Sequence, residues 1–378
     1  MISVIGAYTT KFGELWNVTL RDLINEAAFS AISDASLDTK EIQAVYLGNM
    51  LSGMLSGQEQ LGPMLTEELG VFVPAIRTEG ACASGGLAVF EAVNALQSGK
   101  FETVLIVGAE KMTDRPQDMV AMALMAAGSD AERQAGATFP GLYALMARSH
   151  MEKYQTTQEQ MAAVSVKNHF HASLNGKAQF PFTITIDKVM ESGAIADPLK
   201  LLDCSPISDG ASAIILTTKS ARKKNIQIAA SEVSTDTLGL AQRDSLTELL
   251  ATKKASRSAY KNCGIAPTDV DVAELHDCFT IAEIMALEDL GFYKKGEAGP
   301  AILRGETKLG SKGLIANTSG GLKACGHPVG ATGVKQIVEI TQQLRGVSKA
   351  KQVENAKVGL CQNVGGTGAT AVVTILKN

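Results

Sequence analysis

A cysteine in a glycine-rich turn is the first feature of this sequence with the means to carry covalent chemistry. Cys82 stands in the segment EGACASGG (79–86), immediately before a predicted helix. Backbone N–H groups converge at such a helix start, and the positive end of the helix dipole favours thiolate over thiol. Small neighbouring side chains leave room for an acyl group, so we predict that Cys82 is a nucleophile. A cysteine packed into a tight turn would give the same local sequence.

A histidine occupies a second glycine-rich turn near the C-terminus. His327 lies between Gly326 and Pro328 in the segment GGLKACGHPVGATG (320–333), just before another predicted helix. Proline suits the first turn of a helix, and a histidine at neutral pH can take the proton of a thiol. A lone histidine is often structural, but this turn is too rich in glycine to need one for packing. We therefore predict that His327 is the base for Cys82.

A third segment, ELHDCFT (274–280), follows a predicted strand at residues 270–275. Open α/β sheets place their chemistry at strand ends. His276 and Cys278 are two residues apart on extended chain, so their side chains face the same side. They would provide a hydrogen-bond donor beside a second proton-transfer group, whereas Asp277 faces the opposite way and is predicted to be structural.

The last candidate is the segment QNVGGTG (362–368), which joins two predicted strands. Its glycines let backbone N–H groups approach a ligand closely, as an oxyanion hole requires. An ordinary glycine-rich hairpin would have the same composition. The segment therefore indicates a catalytic site only when it is considered together with the other three.

The elements that must position these segments alternate between strands and helices. Apolar or β-branched runs predict strands, and apolar residues at helical spacing predict helices. The predicted strands are 3–7, 43–47, 103–109, 211–217, 226–234, 270–275, 357–361 and 371–376. The predicted helices are 20–35, 87–97, 158–171, 246–263 and 334–344. This rhythm indicates an α/β fold in which helices pack on sheets.

Residues 111–204 break this rhythm. They contain a Met- and Ala-rich segment at 119–128, the loop GATFPGLYA (136–144) and a charged amphipathic helix, so we predict an inserted loop subdomain. The predicted division is 1–110 with 205–225 for the N-terminal half, 111–204 for the insert and 226–378 for the C-terminal half.

A faint repeat links the two halves. Gly85 follows Cys82 by three positions, and Gly330 follows His327 by three. In each case a helix and then a strand come next. Two copies of one βαβ unit would place Cys82 and His327 at equivalent helix starts that face a shared centre, although glycine-rich turns are common enough to coincide.

Length and composition exclude several classes of protein. A chain of 378 residues, 45% of them hydrophobic, supports a sizeable core. A net charge of -4 argues against nucleic-acid binding because it leaves no broad basic face. No apolar run approaches the length of a membrane span, and the first residues indicate a strand rather than a signal peptide. We therefore expect a cytoplasmic protein.

The cysteines predict no metal site. They stand at positions 82, 204, 263, 278, 325 and 361, and no pair has the Cys-x-x-Cys spacing of structural zinc. In a reducing cytosol a free cysteine usually packs as a small apolar side chain. We accordingly expect no structural zinc, and acyl and proton transfer by the residues above would need neither a metal nor a redox cofactor.

Together, and in this order, the four segments resemble those of the thiolase superfamily. The similarity covers essentially the whole chain, including TKFGEL (10–15), and is strongest to the sterol-carrier-protein-2 type and to archaeal acetoacetyl-CoA thiolases. It implies two duplicated βαβ halves in a five-layered αβαβα arrangement. The HDCF segment (276–279) decides the subgroup, because other thiolases usually carry Asn-Glu-Ala-Phe there.

Other thiolases also carry their second catalytic cysteine in a Cys-x-Gly-Gly-Gly segment near the C-terminus. Aligned on its glycines, this chain has Gln362 at that position, where the sterol-carrier group usually has histidine. Cys361 is one residue early and would face the opposite side of its strand. The resemblance therefore assigns the acid/base cysteine to Cys278, treats Cys361 as structural and leaves Gln362 without a role.

The resemblance implies a reversible Claisen condensation of two acetyl-CoA molecules to acetoacetyl-CoA and CoA. Cys82 would carry the acyl group with His327 as its base, and Cys278 would take a proton from the second acetyl-CoA. His276 and His327 would stabilise the enolate oxygen. The residues implied in the oxyanion hole, through their backbone N–H groups, are Cys82, Val364 and Gly365.

The resemblance also implies substrate contacts and partners. The implied contact residues are Thr138, Phe139, Tyr143, Arg243, Phe279, Ser319 and Gly320, with the CoA nucleotide on the surface near Arg243. A homodimer or tetramer is expected by family. Archaeal relatives associate with hydroxymethylglutaryl-CoA synthase through a zinc-containing OB-fold protein, and the expectation extends to this chain.

Three other functions stay open at this point. One is a thiolase for longer 3-ketoacyl-CoA chains. Another is a decarboxylating ketoacyl synthase, which uses one cysteine with two histidines and does not need Cys278. The third is a non-catalytic acyl-CoA-binding scaffold, against which the retention of all four polar positions speaks.

Overall fold

Ten strands form one mixed sheet in the computed structural model, which describes residues 1–219 and 226–378. The strands are β1 Ser3–Thr9, β2 Ala44–Gly48, β3 Ala75–Thr78, β4 Thr103–Glu110, β5 Ala194–Ala196, β6 Leu199–Lys200, β7 Gly210–Thr217, β8 Ile226–Thr235, β9 Val272–Glu274, β10 Ile315–Ala316, β11 Val358–Gly365 and β12 Thr370–Lys377. Strands β5 and β6 form a separate small pair.

The helices cover both faces of this sheet. They are α1 Leu20–Ala35, α2 Leu61–Leu69, α3 Ser84–Gln97, α4 Gln117–Met125, α5 Asp130–Gln134, α6 Phe139–Tyr154, α7 Gln158–Ser173, α8 Ile186–Met190, α9 Leu250–Cys263, α10 Thr280–Asp289, α11 Ala298–Leu303, α12 Gly321–Cys325 and α13 Thr332–Arg345. No helix among the described residues is both long and apolar enough to cross a membrane.

The strand order confirms the predicted duplication. From its outer edge the N-terminal half has the order β3-β2-β4-β7-β1, and the C-terminal half has the order β10-β9-β11-β12-β8. In both halves this is the third, second, fourth, fifth and first strand in chain order, with the same parallel and antiparallel pairings. The halves meet where Ser3 and Val4 of β1 pair with Gln227 and Ile226 of β8.

Apolar side chains sort these elements into five layers. Helices α3 and α13 lie between the two half-sheets, where Val89 and Val338 join a core with Val104 and Val272. Helices α1 and α2 cover the other face of the N-terminal half, and α9 and α10 cover the other face of the C-terminal half. Because β4 is buried on both faces, its continuous apolar run matches the pattern expected of an internal strand.

Two glycines explain how the central helix starts come so close. A Cβ atom at Gly85 would lie 2.6 Å from the Gly330 carbonyl oxygen, and one at Gly330 would lie 2.6 Å from the Ala109 carbonyl oxygen. Any side chain at either position would push the two turns apart. The glycines three positions after Cys82 and His327 are thus needed for packing between the halves.

Residues 111–204 contain α4 to α8 and the small β5–β6 pair. Helix α7 packs against α10, α11 and α12 of the C-terminal half, so the segment lies over the end of that half. The domain limits at 110 and 204 stay predictions. The limit at 225 falls in 220–225, outside the described residues.

Candidate active site

Cys82, His276 and His327 meet at one point although they are far apart in sequence. The Cys82 sulfur and one ring nitrogen of each histidine lie within 4.8 Å of one another. The two imidazole rings meet edge to face, with 5.1 Å between their centroids. Cys278 lines the same cavity as Cys82 and His327, so the structure gathers all four side chains predicted to act on the substrate.

Cys82 lies in the turn that leads from β3 into α3. Ala81 before it has a φ of 54°, a left-handed conformation that strains a residue with a Cβ atom. Burial raises the pKa of the Cys82 thiol to about 12, against the hydrogen bonds that the sulfur receives from the backbone N–H groups of Gly366 and of Cys82 itself. This direction opposes the helix start, which favours the thiolate, so Cys82 needs a base to become a nucleophile.

His327 has the geometry of that base. Its backbone N–H donates to Ser208 Oγ at 2.9 Å, and its Nδ1 lies 2.7 Å from Thr332 Oγ1. The Thr332 hydroxyl donates its own proton to the Pro328 carbonyl at 3.1 Å, so it accepts one from Nδ1. Nε2 then carries a lone pair. Burial lowers the pKa of His327 to about 3, so an uncharged acceptor stands beside the Cys82 thiol.

His276 follows β9 and is held by two neighbouring amide side chains of β11. Its backbone N–H donates to Gln362 Oε1 at 2.9 Å, and the Asn363 side-chain nitrogen lies 3.2 Å from its Nδ1. Burial, together with the nearby His327, lowers the pKa of His276 well below its usual range. Gln362, which has no role in the sequence analysis, therefore fixes the backbone of His276.

Cys278 is buried, and burial raises the pKa of its thiol, which is hydrogen-bonded to the Tyr143 hydroxyl. The Tyr143 ring stacks on Phe279 with 4.6 Å between centroids, and its hydroxyl donates to the Gly366 carbonyl at 3.0 Å. One hydroxyl thus contacts the second cysteine and also the residue whose N–H binds the Cys82 sulfur.

Asp277, next to Cys278, has the structural role expected of it. Its carboxylate accepts the backbone N–H groups of Leu322 at 2.7 Å and Lys323 at 3.2 Å, at the start of α12. This carboxylate ties the segment that carries Cys278 to the segment that leads to His327.

The N–H group that reaches the Cys82 sulfur belongs to Gly366 rather than to Val364 or Gly365. Val364 and Gly365 are the last residues of β11, where they pair with β12 and do not line the cavity. Gly366 lines the cavity as the first residue of the turn, with a φ of 61°. Gly366 is thus a further backbone group at the sulfur that the sequence analysis did not name, and the oxyanion role of Val364 and Gly365 stays a prediction.

Five of these residues, Cys82, Tyr143, Cys278, His327 and Gly366, line a cavity of about 580 Å³, a volume typical of small-molecule sites. Cys278, His327 and Tyr143 are buried there. Exposed residues at the rim include Glu14, Trp16, Arg115, Gln117, Ile195 and Leu201. A buried polar floor with an exposed rim suits a long substrate whose reactive end enters first.

Four of the predicted substrate contacts line this cavity, namely Thr138, Phe139, Tyr143 and Phe279. They come from the start of α6 and from the HDCF segment, which face each other. The Thr138 hydroxyl also accepts the Gly141 N–H at 3.3 Å and so begins α6. The helix start therefore fixes the wall of the cavity.

Arg243, Ser319 and Gly320 do not line the cavity. The Arg243 guanidinium donates to the Thr367 carbonyl at 2.6 Å and to its hydroxyl at 3.0 Å, so it fixes the turn between β11 and β12. Ser319 Oγ donates to a Glu274 carboxylate oxygen at 2.5 Å, and Gly320 packs against α7. We therefore correct these three predictions and assign the residues to the scaffold. The polar groups of Arg243 and Ser319 already bind neighbouring residues, and Gly320 is enclosed by α7.

The Cys82 sulfur and the two ring nitrogens are also a donor set that zinc accepts. An ion would need a lone pair on a ring nitrogen of each histidine. His327 provides one at Nε2, but the Nδ1 lone pair of His276 is taken by Asn363. These hydrogen bonds favour proton transfer over metal binding at this point, and the absence of a cofactor stays a prediction.

Sequence reasoning missed Asn363 as well as Gly366. The Asn363 side chain donates to the Cys82 carbonyl at 3.0 Å and accepts the Gly86 N–H at 3.0 Å. The sequence feature that could have indicated Asn363 is the pair of amide side chains, Gln362 and Asn363, that directly follows the predicted apolar strand 357–361. Buried amides need several hydrogen-bond partners, so they often mark a polar site.

Comparisons with known proteins agree with this geometry. Residues 2–220 match the model of the thiolase N-terminal domain, and residues 232–378 match that of the thiolase C-terminal domain-like family. An acetyl-CoA acetyltransferase of Methanothermobacter thermautotrophicus is 46% identical, over 99% of this chain and 98% of its own length. Bovine sterol carrier protein 2 is 34% identical, over 100% of this chain and 72% of its own length.

The fold is shared with more distant solved structures. Human mitochondrial 3-ketoacyl-CoA thiolase superposes with a TM-score of 0.78 at 17% identity, over 100% of this chain and 98% of its own. The matched models cover nearly the whole chain, and both relatives align with at least 99% of it. This chain therefore belongs to the thiolase family.

Proposed function

We propose that this chain is an acyl-CoA C-acyltransferase that condenses two acetyl-CoA molecules to acetoacetyl-CoA and CoA, and that catalyses the reverse thiolysis. One observation carries the proposal: two thiols, Cys82 and Cys278, line one cavity with the His327 imidazole, and the His276 imidazole lies against Cys82 and His327. One thiol is enough to carry an acyl group. The second provides the proton transfer that carbon–carbon bond formation requires. The acetyl-CoA acetyltransferase relative supports the choice of acetyl groups.

In the first half-reaction Cys82 attacks the thioester carbonyl carbon. His327 Nε2 takes the thiol proton as the sulfur–carbon bond forms. The N–H groups of Cys82 and Gly366 hold the resulting oxyanion, each contributing about 3 kcal/mol of transition-state stabilisation. The CoA sulfur then leaves and takes the proton of Cys278, so an acyl-enzyme, a protonated His327 and a Cys278 thiolate remain.

In the second half-reaction the Cys278 thiolate removes a methyl proton from another acetyl-CoA. The negative oxygen of the enolate is stabilised by N–H groups of His276 and of the protonated His327. The carbanion attacks the acyl group on Cys82, and the departing sulfur takes its proton back from His327. Protons balance over the two steps, so no redox group or metal enters the proposal.

We place the pantetheine arm along the cavity wall formed by Thr138, Phe139 and Phe279. For the nucleotide the rim offers Arg115, an exposed cation, and Trp16, a residue that is 61% exposed. These residues replace Arg243 in the proposal, because the Arg243 side chain is committed to the turn after β11.

A homodimer belongs to the same proposal. Within the described residues β3 has a sheet neighbour on one side only, and the nearby Phe72 and Ile76 are 88% and 49% exposed. A second copy that pairs its own β3 would cover both the free edge and these side chains. Sedimentation over a range of concentrations tests this, and a monomer throughout would contradict it.

Three further expectations rest on family resemblance alone. They are a cytoplasmic location, a place in the mevalonate pathway, and a complex with hydroxymethylglutaryl-CoA synthase bridged by a zinc-containing OB-fold protein. Co-purification with those two proteins tests the last of them.

The direct test is a steady-state assay of acetyl-CoA condensation and of thiolysis across 3-ketoacyl chain lengths. We expect kcat/KM to be highest for acetoacetyl-CoA. An optimum at longer chains would make the enzyme a longer-chain thiolase. Turnover of malonyl thioesters in place of acetyl-CoA would indicate a ketoacyl synthase, and binding of acyl-CoA without turnover would indicate a scaffold.

A further inference from the structure

Two backbone groups fix the orientation of the Asn363 side-chain amide. The Gly86 N–H can only donate, and it lies 3.0 Å from Asn363 Oδ1. The Cys82 carbonyl can only accept, and it lies 3.0 Å from Asn363 Nδ2. A flipped amide would lose both hydrogen bonds in a buried position, which is costly. The amide nitrogen therefore faces Cys82 and His276.

This fixed amide determines where His276 carries its proton. One Asn363 N–H is directed to the Cys82 carbonyl, and the same nitrogen lies 3.2 Å from His276 Nδ1. A ring nitrogen that accepts an N–H has a lone pair, so the single proton of the neutral ring lies on Nε2. Nε2 is buried and has no hydrogen-bond partner among the described residues.

His327 has the opposite tautomer. Its Nδ1 donates to Thr332 Oγ1, so its Nε2 carries a lone pair, and this Nε2 also has no partner among the described residues. Two histidines with 5.1 Å between their ring centroids therefore present one N–H donor and one acceptor. The difference comes entirely from the groups bound to the two Nδ1 atoms.

We propose that Asn363 is a positioning residue that keeps His276 as a hydrogen-bond donor to the carbonyl oxygen of the second CoA thioester. The inference deepens the proposed function and rests on it. That oxygen becomes negative when the methyl proton leaves, so a donor aimed at it stabilises the transition state more than the ground state. With the proton on Nδ1, the Nε2 lone pair would instead repel the enolate oxygen.

The tautomers can be read directly by ¹⁵N NMR of protein labelled at its five histidines. The substitutions His276→Phe and His327→Phe assign the two rings. We expect His276 to be protonated at Nε2 and bare at Nδ1, and His327 to show the reverse. A proton on His276 Nδ1 would overturn the proposal. The NMR experiment does not require turnover. Its result therefore distinguishes a failure of this proposal from a failure of the proposed function.

A double-mutant cycle tests whether Asn363 acts through His276. Asn363→Leu keeps the shape of the side chain and removes its hydrogen bonds. We expect kcat for condensation to fall roughly 10- to 100-fold with little change in KM. In a His276→Phe background the same substitution should have at least a roughly threefold smaller effect, because only the hydrogen bonds to Cys82 and Gly86 remain to be lost. An equal loss in both backgrounds would indicate a merely structural role and would overturn the proposal.

Two further variants keep this test interpretable. Asn262→Leu makes the same change at an exposed position of α9 and should leave turnover unchanged. If Asn363→Leu does not fold, Asn363→Asp retains an acceptor for the Gly86 N–H, and its carboxylate should draw a proton onto His276 Nδ1 in the NMR spectrum. A His276 Nδ1 that stays bare beside that carboxylate would contradict control by residue 363.

Discussion

The two halves of the molecule have the same strand order but use corresponding strand ends for opposite purposes. In the N-terminal half, the ends of β2 and β4 bring Asn49 to Glu110, and the Glu110 carboxylate accepts N–H groups from Asn49, Met50, Leu51 and Gly330 at 2.8–3.1 Å. In the C-terminal half, the ends of β9 and β11 bring His276 to Gln362 and Asn363. There one ring nitrogen has no partner among the described residues.

This difference shows how a duplicated frame becomes an active site. A strand end whose polar atoms are all satisfied stabilises the fold, because buried hydrogen bonds are costly to break. A strand end that fixes a polar atom without a hydrogen-bond partner leaves that atom free to bind the substrate. The N-terminal half adds the nucleophile Cys82, and the C-terminal half supplies the groups that move protons.

The largest effect is expected at Cys82, the one contribution of the N-terminal half to the chemistry. Cys82→Ala should lower both condensation and thiolysis on the order of 10⁴-fold or more, because no other group carries the acyl chain. Steady-state assays in both directions measure this. Cys263→Ala, in a half-buried cysteine outside the cavity, is the control. Residual turnover within tenfold of wild type would remove Cys82 from the account.

His276 should affect chemistry rather than stability. His276→Phe keeps an aromatic ring and removes the N–H that has no partner in the described fold. We expect kcat for condensation to fall about 10²- to 10³-fold, as for the loss of an oxyanion donor. Urea unfolding should shift by less than about 1.5 kcal/mol, since only the Asn363 hydrogen bond to the ring is lost. If the loss in free energy of unfolding exceeded the loss in activation free energy, His276 would be a structural residue, contrary to the proposed difference between the halves.

Tyr143 should show a smaller effect at the contact between the insert and the C-terminal half. Tyr143→Phe retains the stack on Phe279 and removes the hydroxyl bonded to Cys278 and Gly366. We expect an approximately tenfold lower kcat for condensation, about the net value of one hydrogen bond. Tyr293→Phe, which lies outside the cavity, is the matched control. An unchanged rate would show that the hydroxyl has no part in proton transfer.

Glu110, at the strand ends of the N-terminal half that correspond to those holding His276, should affect stability rather than catalysis. Burial raises its pKa to about 7, against the backbone hydrogen bonds that lower it. Because this folded-state pKa exceeds the ordinary carboxyl value, the native state binds more protons between the two values. The free energy of unfolding then contains a contribution that falls as the pH rises towards 7, by at most about 1.4 kcal/mol per pH unit.

Glu110→Gln should remove that pH dependence and destabilise the fold by about 1–3 kcal/mol above pH 7, because an amide cannot accept all the N–H groups. Chemical unfolding at pH 5.5 and 8 measures both effects, with the exposed Glu354→Gln as control. If Glu110→Gln abolished the half-reactions and left stability intact, the N-terminal strand end would be catalytic.

Much of the fold follows from local pattern, and the exceptions have physical reasons. Helix α1 has the predicted bounds because its apolar face and its capping box at Thr19 and Asp22 agree. Helix α10 is buried along its whole length, so it lacks the polar face that would reveal its period. Strand β3 was missed because it is a short edge strand with partly exposed residues.

The site could be predicted where residue type limits the chemistry. Cys82, His276, Cys278 and His327 stand in segments whose types and spacing suggest proton and acyl transfer. Contacts across the fold could not be predicted. The bond from Arg243 to Thr367 spans 124 positions, and nothing near Arg243 signals it. Asn363 was missed for the same reason, because its importance lies in three partners from distant segments.

The most direct test of a two-thiol mechanism uses Cys278→Ala with acetyl-CoA. After acid quenching, intact mass and peptide mapping should find one acetyl group on Cys82, while condensation falls at least about 10³-fold. Acetylation at another residue, or condensation at the wild-type rate without Cys278, would contradict the division of labour between the two sulfurs.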